Sequence, residues 1–249
     1  MEDRPTVLVP IRVLEGESIP EGVPDLLANA HVVLLGYHVV PDQTATDQAR
    51  TQFEDRALDR LEEFERILEE GGATVESRLV FTHESQQTID RTTAEHDCLA
   101  VLVPNATGAL ERVLVAVRGT VGLDRLVRVV TGLFASTDVA VTLYHVAGED
   151  ESDEDVETLL EGVTARLSEA GMDDDAIDVW LERSQGTLEA IVDAGNEYDA
   201  IVMGESDPSL ATFVFGMRAE QVAERFLGPV LVVQRGSPDG DESEESNAD

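Results

Sequence analysis

The sequence predicts an α/β fold made of two copies of one unit, each a parallel sheet flanked by helices, with the first copy cut short after its fourth strand. Three observations carry this. Short runs of continuous apolar character alternate with segments whose apolar residues recur at helical spacing. Strands buried on both faces lose their polar alternation, so this pattern calls for a parallel sheet covered by helices. Four segments of the first half then recur in the same order, at a nearly constant offset, in the second.

The elements follow in order. Thr6–Ile11 reads as the first strand, although Pro10 lacks the N–H a ladder needs and marks an edge or irregularity. A Gly-, Pro- and Glu-rich stretch follows, with at most a short helix near Asp25–Ala30. Val32–Val39 is the second strand. A long helix runs from about Ala45 to Glu70, with Phe53, Ala57, Leu61, Phe64 and Leu68 forming one buried stripe. Gly71 and Gly72 end it. Strand Thr74–Phe81, helix Gln86–Glu95 and strand Cys98–Val103 complete the first unit.

The second unit opens with strand Arg112–Val117. Helix Leu123–Phe134 places Leu123, Leu126, Val127, Val130 and Phe134 on one face. Strand Val139–Val146 follows, then an acidic loop and a helix ending near Gly171. Next come strand Ile177–Leu181, helix Thr187–Glu197 and strand Ala200–Gly204. A loop with Pro208, helix Met217–Leu227 and strand Pro229–Gln234 close the unit. The predicted division is 1–107, 108–235 and a polar, acidic, disordered tail, 236–249.

The repeat is carried by four pairs of segments. Val7–Arg12 matches Val113–Arg118, and Tyr37–Val39 matches Tyr144–Val146. Ser85–Ile89 matches Ser184–Leu188, and Ala100–Pro104 matches Ala200–Gly204. The second half goes on through a helix and a fifth strand that the first half lacks. This predicts an intrachain pseudo-dimer, with two chains pairing through the remaining edge of Val230–Val233.

Composition narrows the function. The 249 residues are 42 % hydrophobic, enough for one large core or two small ones. The formal net charge is −35, with 52 acidic residues against 17 cationic side chains, all of them Arg. The acids are spread over the whole chain, which points to adaptation to high salt. At about 1 M salt the Debye length is about 3 Å, so a dense carboxylate surface stops repelling itself. Nucleic-acid binding is disfavoured because no Lys/Arg cluster forms a basic face. The single cysteine, Cys98, opens an apolar run and reads as a buried structural thiol. No run approaches a membrane span and the N-terminus lacks a signal pattern, so the expectation is a soluble, cytoplasmic protein without membrane insertion.

The second half resembles a universal stress protein domain. The resemblance rests on the opening strand Arg112–Val117, the fourth strand Asp199–Gly204, the helix segment Gly216–Ala223 and the closing Gly228–Val233, the most specific match. It covers about residues 110–235 well and 5–105 loosely, and with the acidity it implies a tandem, haloarchaeal-like member. It implies two adenine-nucleotide-alpha-hydrolase-like units and, because many members bind ATP, a glycine loop holding phosphates at a helix N-terminus. The family's loop runs Gly-x2-Gly-x9-Gly followed by Ser or Thr. This chain keeps Gly204 and Gly216, but Asp207 stands at the second glycine and the spacing to Gly216 is one residue short. Met217 replaces the hydroxyl residue, and Arg118 stands where nucleotide-binding members have Asp. The first half has Pro104 in place of the glycine and no helix after it.

The cofactor-site candidates are therefore Val117, Arg118, His145, Val146, Met203, Gly204, Gly216, Met217 and Arg218. Arg12 and Arg118 end matching first strands, where open α/β sheets bind ligands, and each reads either as an anion contact or as a salt bridge to nearby acids. Arg218 has the same two readings. His38 and His145 each follow a Tyr and read either as pocket-lining or as packed strand-end residues. His31, His83 and His96 lack ligand spacing, so no metal role is assigned. No nucleophile elbow or P-loop is present, and no catalytic residue is assigned. The leading expectation is a non-enzymatic stress-response binding and regulatory protein with a degenerate nucleotide pocket in its second half. One alternative is an ATP-binding protein hydrolysing slowly through a variant loop from Gly204 to Gly216. Another is a partner-binding regulator with no small-molecule ligand.

Overall fold

The computed structural model describes residues 4–120, 122–148, 151–204 and 228–235. The first unit contains β1 (Thr6–Arg12), α1 (Val23–Leu26), β2 (His31–Val39), α2 (Thr46–Glu70), β3 (Thr74–Thr82), α3 (Ser85–Glu95) and β4 (Ala100–Val103). The second contains β5 (Arg112–Ala116), α4 (Leu123–Phe134), β6 (Ala140–Ala147), α5 (Asp153–Glu169), β7 (Ile177–Arg183), α6 (Thr187–Gly195), β8 (Ala200–Gly204) and β9 (Val230–Val233). A 3-10 turn at Asp174–Ala176, not expected from the sequence, leads into β7. The predicted helix Met217–Leu227, the loop with Pro208 and the tail 236–249 lie outside the described residues.

All nine described strands form one sheet, ordered β3-β2-β1-β4-β9-β8-β5-β6-β7. Neighbours within each unit run parallel. The exception lies at the centre: β9 pairs parallel with β8 on one side and antiparallel with β4 on the other, Val103 facing Val230 and Ala100 facing Val233. Each unit thus keeps its third, second, first and fourth strands in that order, and the single fifth strand joins the two. The intrachain pairing expected from the repeat is present. The predicted second step is corrected: β9 is hydrogen-bonded along both edges and offers no free edge to another chain.

The antiparallel seam also explains the short connection between units. It places the carboxyl end of β4 at the same end of the sheet as the start of β5. Three inter-strand steps of about 4.8 Å separate them, about 14 Å in all, well within reach of the extended segment Pro104–Glu111. Asn105 anchors that segment by donating to the Gly228 carbonyl at 3.2 Å. Asp199 closes its far end, its carboxylate accepting the backbone N–H groups of Glu111 and Arg112 at 2.9 and 2.8 Å.

Helix ends follow local chemistry. α2 and α5 both stop in a Schellman arrangement, with Gly72 (φ 108°) and Gly171 (φ 103°) in the left-handed region. Ala73 N–H reaches back to the Leu68 carbonyl, and Met172 N–H to that of Leu167. α3 ends the same way on Asp97 at φ 47°, the one positive-φ non-glycine among the described residues. Ser152 caps α5, accepting the Asp155 N–H at 3.2 Å, and the first turn carries Asp153, Glu154 and Asp155 against the positive end of the helix dipole.

The core lies on both faces of the sheet. One face is continuous across the seam, uniting Leu61, Phe64 and Leu68 of α2 with Val130 and Phe134 of α4 through Leu102, Leu231 and Val233. The other carries separate clusters, one around Leu8, Leu35 and Ile89, the other around Tyr144, Ile191 and Met203. Cys98 is buried, as expected, and burial pushes its thiol up to about 12.

Candidate functional site at the carboxyl edge of the second unit

β5 ends at Ala116, and the chain turns through Val117 to Gly122 before α4 begins. Gly119 (φ 69°) and Gly122 (φ 77°) sit in the left-handed region, which lets the chain make this tight turn. A Cβ at either would meet nothing within 4 Å, so backbone conformation rather than space calls for glycine. β8 ends beside it: Met203 pairs with Ala116 on one side and Val232 on the other, and Gly204 is level with Val233.

Between these strand ends lies a cavity of about 40 Å³. Ala116, Val117, Arg118 and Gly119 form one wall, continued by Gly122, Leu123 and Leu126 at the start of α4. Tyr144 and Val146 of β6, with Thr187 and Ile191 of α6, form a second. Met203, Gly204, Val233, Gln234 and Arg235 complete it. Of the residues predicted from sequence, Val117, Arg118, Val146, Met203 and Gly204 therefore come together. Gly216, Met217 and Arg218 lie outside the described residues.

His145 does not line the cavity. Successive strand residues face opposite sides of a sheet, so when Tyr144 faces α6 its neighbour faces the other way. The Tyr144 ring packs on Trp180 with centroids 4.7 Å apart, and its hydroxyl donates to Glu182 at 2.7 Å. Burial, then the Glu182 contact, raises the phenol pKa. His145 is buried, its Nδ1 2.9 Å from the Val117 carbonyl, which can only accept, so that nitrogen carries the proton. Its Nε2 lies 3.4 Å from Glu151, whose carboxylate also accepts the Gly148 N–H at 2.8 Å. The Gly148 bond is the main reason the Glu151 carboxyl sits below the usual carboxylate range. Arg183 donates to the carbonyls of Gly148 and Glu151 at 3.0 and 3.1 Å, fixing this loop beside the strand ends.

The matching edge of the first unit is occupied by its own side chains. Arg12 donates to the Tyr37 hydroxyl at 3.2 Å and to Glu15 at 3.1 Å. The Glu17 carboxylate accepts the Arg12 backbone N–H at 2.7 Å, and Arg60 holds the Glu17 carbonyl at 3.0 Å. Burial raises both the Glu17 carboxyl and the Tyr37 phenol. Of the two readings of Arg12, the structure shows the salt bridge. His38 packs edge-on between Phe53 and Phe81, each 5.9 Å away. Among the described residues no group of His, Cys, Asp and Glu could hold a metal ion, and no helix is long and apolar enough to cross a membrane.

Sequence reasoning missed Gly119, Gly122, Thr187 and Arg235. Two glycines between a first strand and an amphipathic helix were a readable signal of a tight turn at a strand's carboxyl end. Arg235 lies two residues past the end of the last strand, at the edge where ligands of open α/β sheets lie.

No protein-family model and no curated protein matches the sequence. Solved structures do. A universal stress protein from Archaeoglobus fulgidus DSM 4304 superposes with a TM-score of 0.62, covering 93 % of this chain and 97 % of its own at 18 % identity. The chain has the fold of that universal stress protein. A protein from Pseudomonas aeruginosa UCBPP-PA14, assigned to the same family, covers 94 % of this chain and 94 % of its own at 14 % identity and a TM-score of 0.51. A universal stress protein in complex with cAMP matches 49 % of this chain and 95 % of its own at 20 % identity, with a TM-score of 0.37, too low to carry an argument.

Proposed function

We propose that this protein is a stress-response binding and regulatory protein of the universal stress protein type, a tandem member that is not an enzyme. Its second unit takes a small ligand of the adenine-nucleotide kind, and its first unit is a structural partner. The observation that carries this is the position of the cavity, at the carboxyl edge of β5, β6 and β8 and rimmed by Gly119, Gly122 and Gly204; at about 40 Å³ it seats one group of such a ligand, the rest lying over the edge. Ligands of parallel α/β sheets bind at this edge. The matching edge of the first unit holds Arg12, Tyr37 and Glu17 bonded to one another, which supports confining the ligand to the second. We further infer that the acidic surface is an adaptation to high salt and that the protein works in the cytoplasm.

Isothermal titration of the full chain with ATP in about 1 M KCl, where surface repulsion is screened, tests this. Saturable binding is expected, abolished by Gly204→Val, with no phosphate released above a protein-free control. Catalytic phosphate release would make it a hydrolase instead. Silence with every adenine nucleotide would overturn the ligand and favour a regulator that binds only protein.

A further inference from the structure

The two outer edges of the sheet are finished differently. In the first unit the long helix α2 lies along β3, and its Glu65 accepts the Ser77 hydroxyl at 2.7 Å. On the opposite flank of β3, Arg78 reaches Glu95 of α3 at 3.4 Å. In the second unit the matching helix α5 has 17 residues against 25 and leans on α4 and β6 instead. β7 pairs with β6 and ends the sheet, so its outer row of N–H and C=O groups carries no strand among the described residues. The repeat puts Leu79 and Val179 at matched places: Leu79 lies beside Gly36, the residue before Tyr37, and Val179 beside Leu143, the residue before Tyr144. Leu79 is half-buried and packs on the core, whereas Val179 is 53 % exposed.

Between α5 and β7 this leaves a groove of about 810 Å³. The matching opening beside β3 is about 260 Å³ and carries Arg50 next to Asp47. The floor of the larger groove is apolar, with Leu160, Val179 and Leu181. Its rim is acidic, with Glu157 and Glu161 one helical turn apart, then Glu169 and Asp174, and no cation among its described residues. The one cation of α5, Arg166, turns the other way and donates to Asp124 of α4 at 2.6 Å. A second copy of this chain fits poorly, because twofold pairing would set the same carboxylates against one another. A cationic chain fits both surfaces. Arginine and lysine have aliphatic stems that can cover an apolar floor while their heads reach an acidic rim. An extended backbone would satisfy the open edge of β7.

We propose that the groove between α5 and β7 docks an extended, cationic segment of another protein, which adds to the sheet beside β7 with its arginine or lysine side chains lying over Val179 toward Glu157 and Glu161. Residues two apart on such a segment face the groove together, so the partner is recognised by cations at alternate positions. The groove shares no residue with the ligand cavity, and the two proposals stand or fall separately.

The test uses a labelled peptide of alternating Arg and Thr, matched to the 7 residues of β7, and an isomer with the same arginines in one run. Fluorescence anisotropy with the full chain in about 1 M KCl, where long-range attraction is screened, measures contact binding. The alternating peptide should bind at least about tenfold more tightly than the isomer. Val179→Arg should weaken it by at least about tenfold, whereas Leu58→Arg, the same change at an exposed apolar residue of α2, should leave it unaltered. In wild type, hydrogen exchange should slow in β7 and not in β3 when the alternating peptide is added. Absence of binding, equal binding of the two peptides, equal effects of the two variants, or unchanged exchange in β7 would each overturn the proposal. A dimer formed without peptide and lost in Val179→Arg would assign the groove to a second copy and overturn it as well.

Discussion

At the scale of single residues, two buried or hydrogen-bonded carboxylates should pull stability in opposite directions with pH. Glu17 has its pKa raised by burial, so its charged form is costly in the folded state, and stability falls as pH rises from the ordinary carboxylate value through the raised one. Glu151 has its pKa lowered by the Gly148 N–H, so the stability it contributes is present above the ordinary value and lost as pH falls through the lowered one. Denaturation of Glu17→Gln and Glu151→Gln across the acid range should therefore give difference curves of opposite slope, and slopes of the same sign would contradict both assignments. Asp97 offers a simpler test. It is exposed and sits at φ 47°, which an L-residue with a Cβ adopts at a cost. Asp97→Gly should raise stability by about 0.5–1 kcal/mol in urea denaturation, the residual left after glycine's own entropic penalty. The residue scale was partly legible. Period-two alternation alone says that Tyr144 and His145 cannot both face one cavity, yet the matched Tyr-His pairs drew attention to the histidines. The hydrogen bond from His145 to Val117 depends on which face each takes, and a repeat carries no such information.

Elements were easier to foresee than their neighbours. Long stripes such as that of α2 and continuous apolar runs such as β8 announce themselves, because burial on a helix face or between two layers leaves a periodic trace. The bounds of α4 and β8 match the expected ones. What β9 pairs with left no trace of that kind. A strand buried on both faces reads the same beside a parallel or an antiparallel neighbour, and its second partner is decided by which edge of the first unit is open. The Asp174–Ala176 turn was missed because Asp-Asp-Ala after another Asp looks like any loop. β9 carries the corresponding prediction. Leu231 is fully buried in the face that continues across the seam. Leu231→Ala should cost about 2–5 kcal/mol, the range for emptying a buried leucine site. Hydrogen exchange should then quicken in β4 as well as in β8. Exchange confined to β8 would mean that the seam does not transmit the loss.

For the whole molecule, one sheet and a core face shared by α2 and α4 make the units a single cooperative body. Calorimetry should show one transition with equal calorimetric and van't Hoff enthalpies, and two resolved transitions would contradict the coupling. The net charge of −35 adds a second expectation at this scale. Raising KCl from about 0.1 to about 1 M shortens the Debye length from about 10 to about 3 Å, so the melting temperature should climb as self-repulsion is screened.

The seam has a consequence for how such a chain could arise or be rebuilt. Between β4 and β8 there is room for one strand, and β9 fills it from both sides. Grafting a second copy of that strand behind Val103, to make the first unit whole, would set two claimants against one berth. The loser would be expelled with its apolar side chains in water, or would seek the same berth in another molecule. The shortness of the first half is thus what leaves the berth to one strand, and restoring its symmetry would trade a seam closed within one chain for one prone to domain exchange.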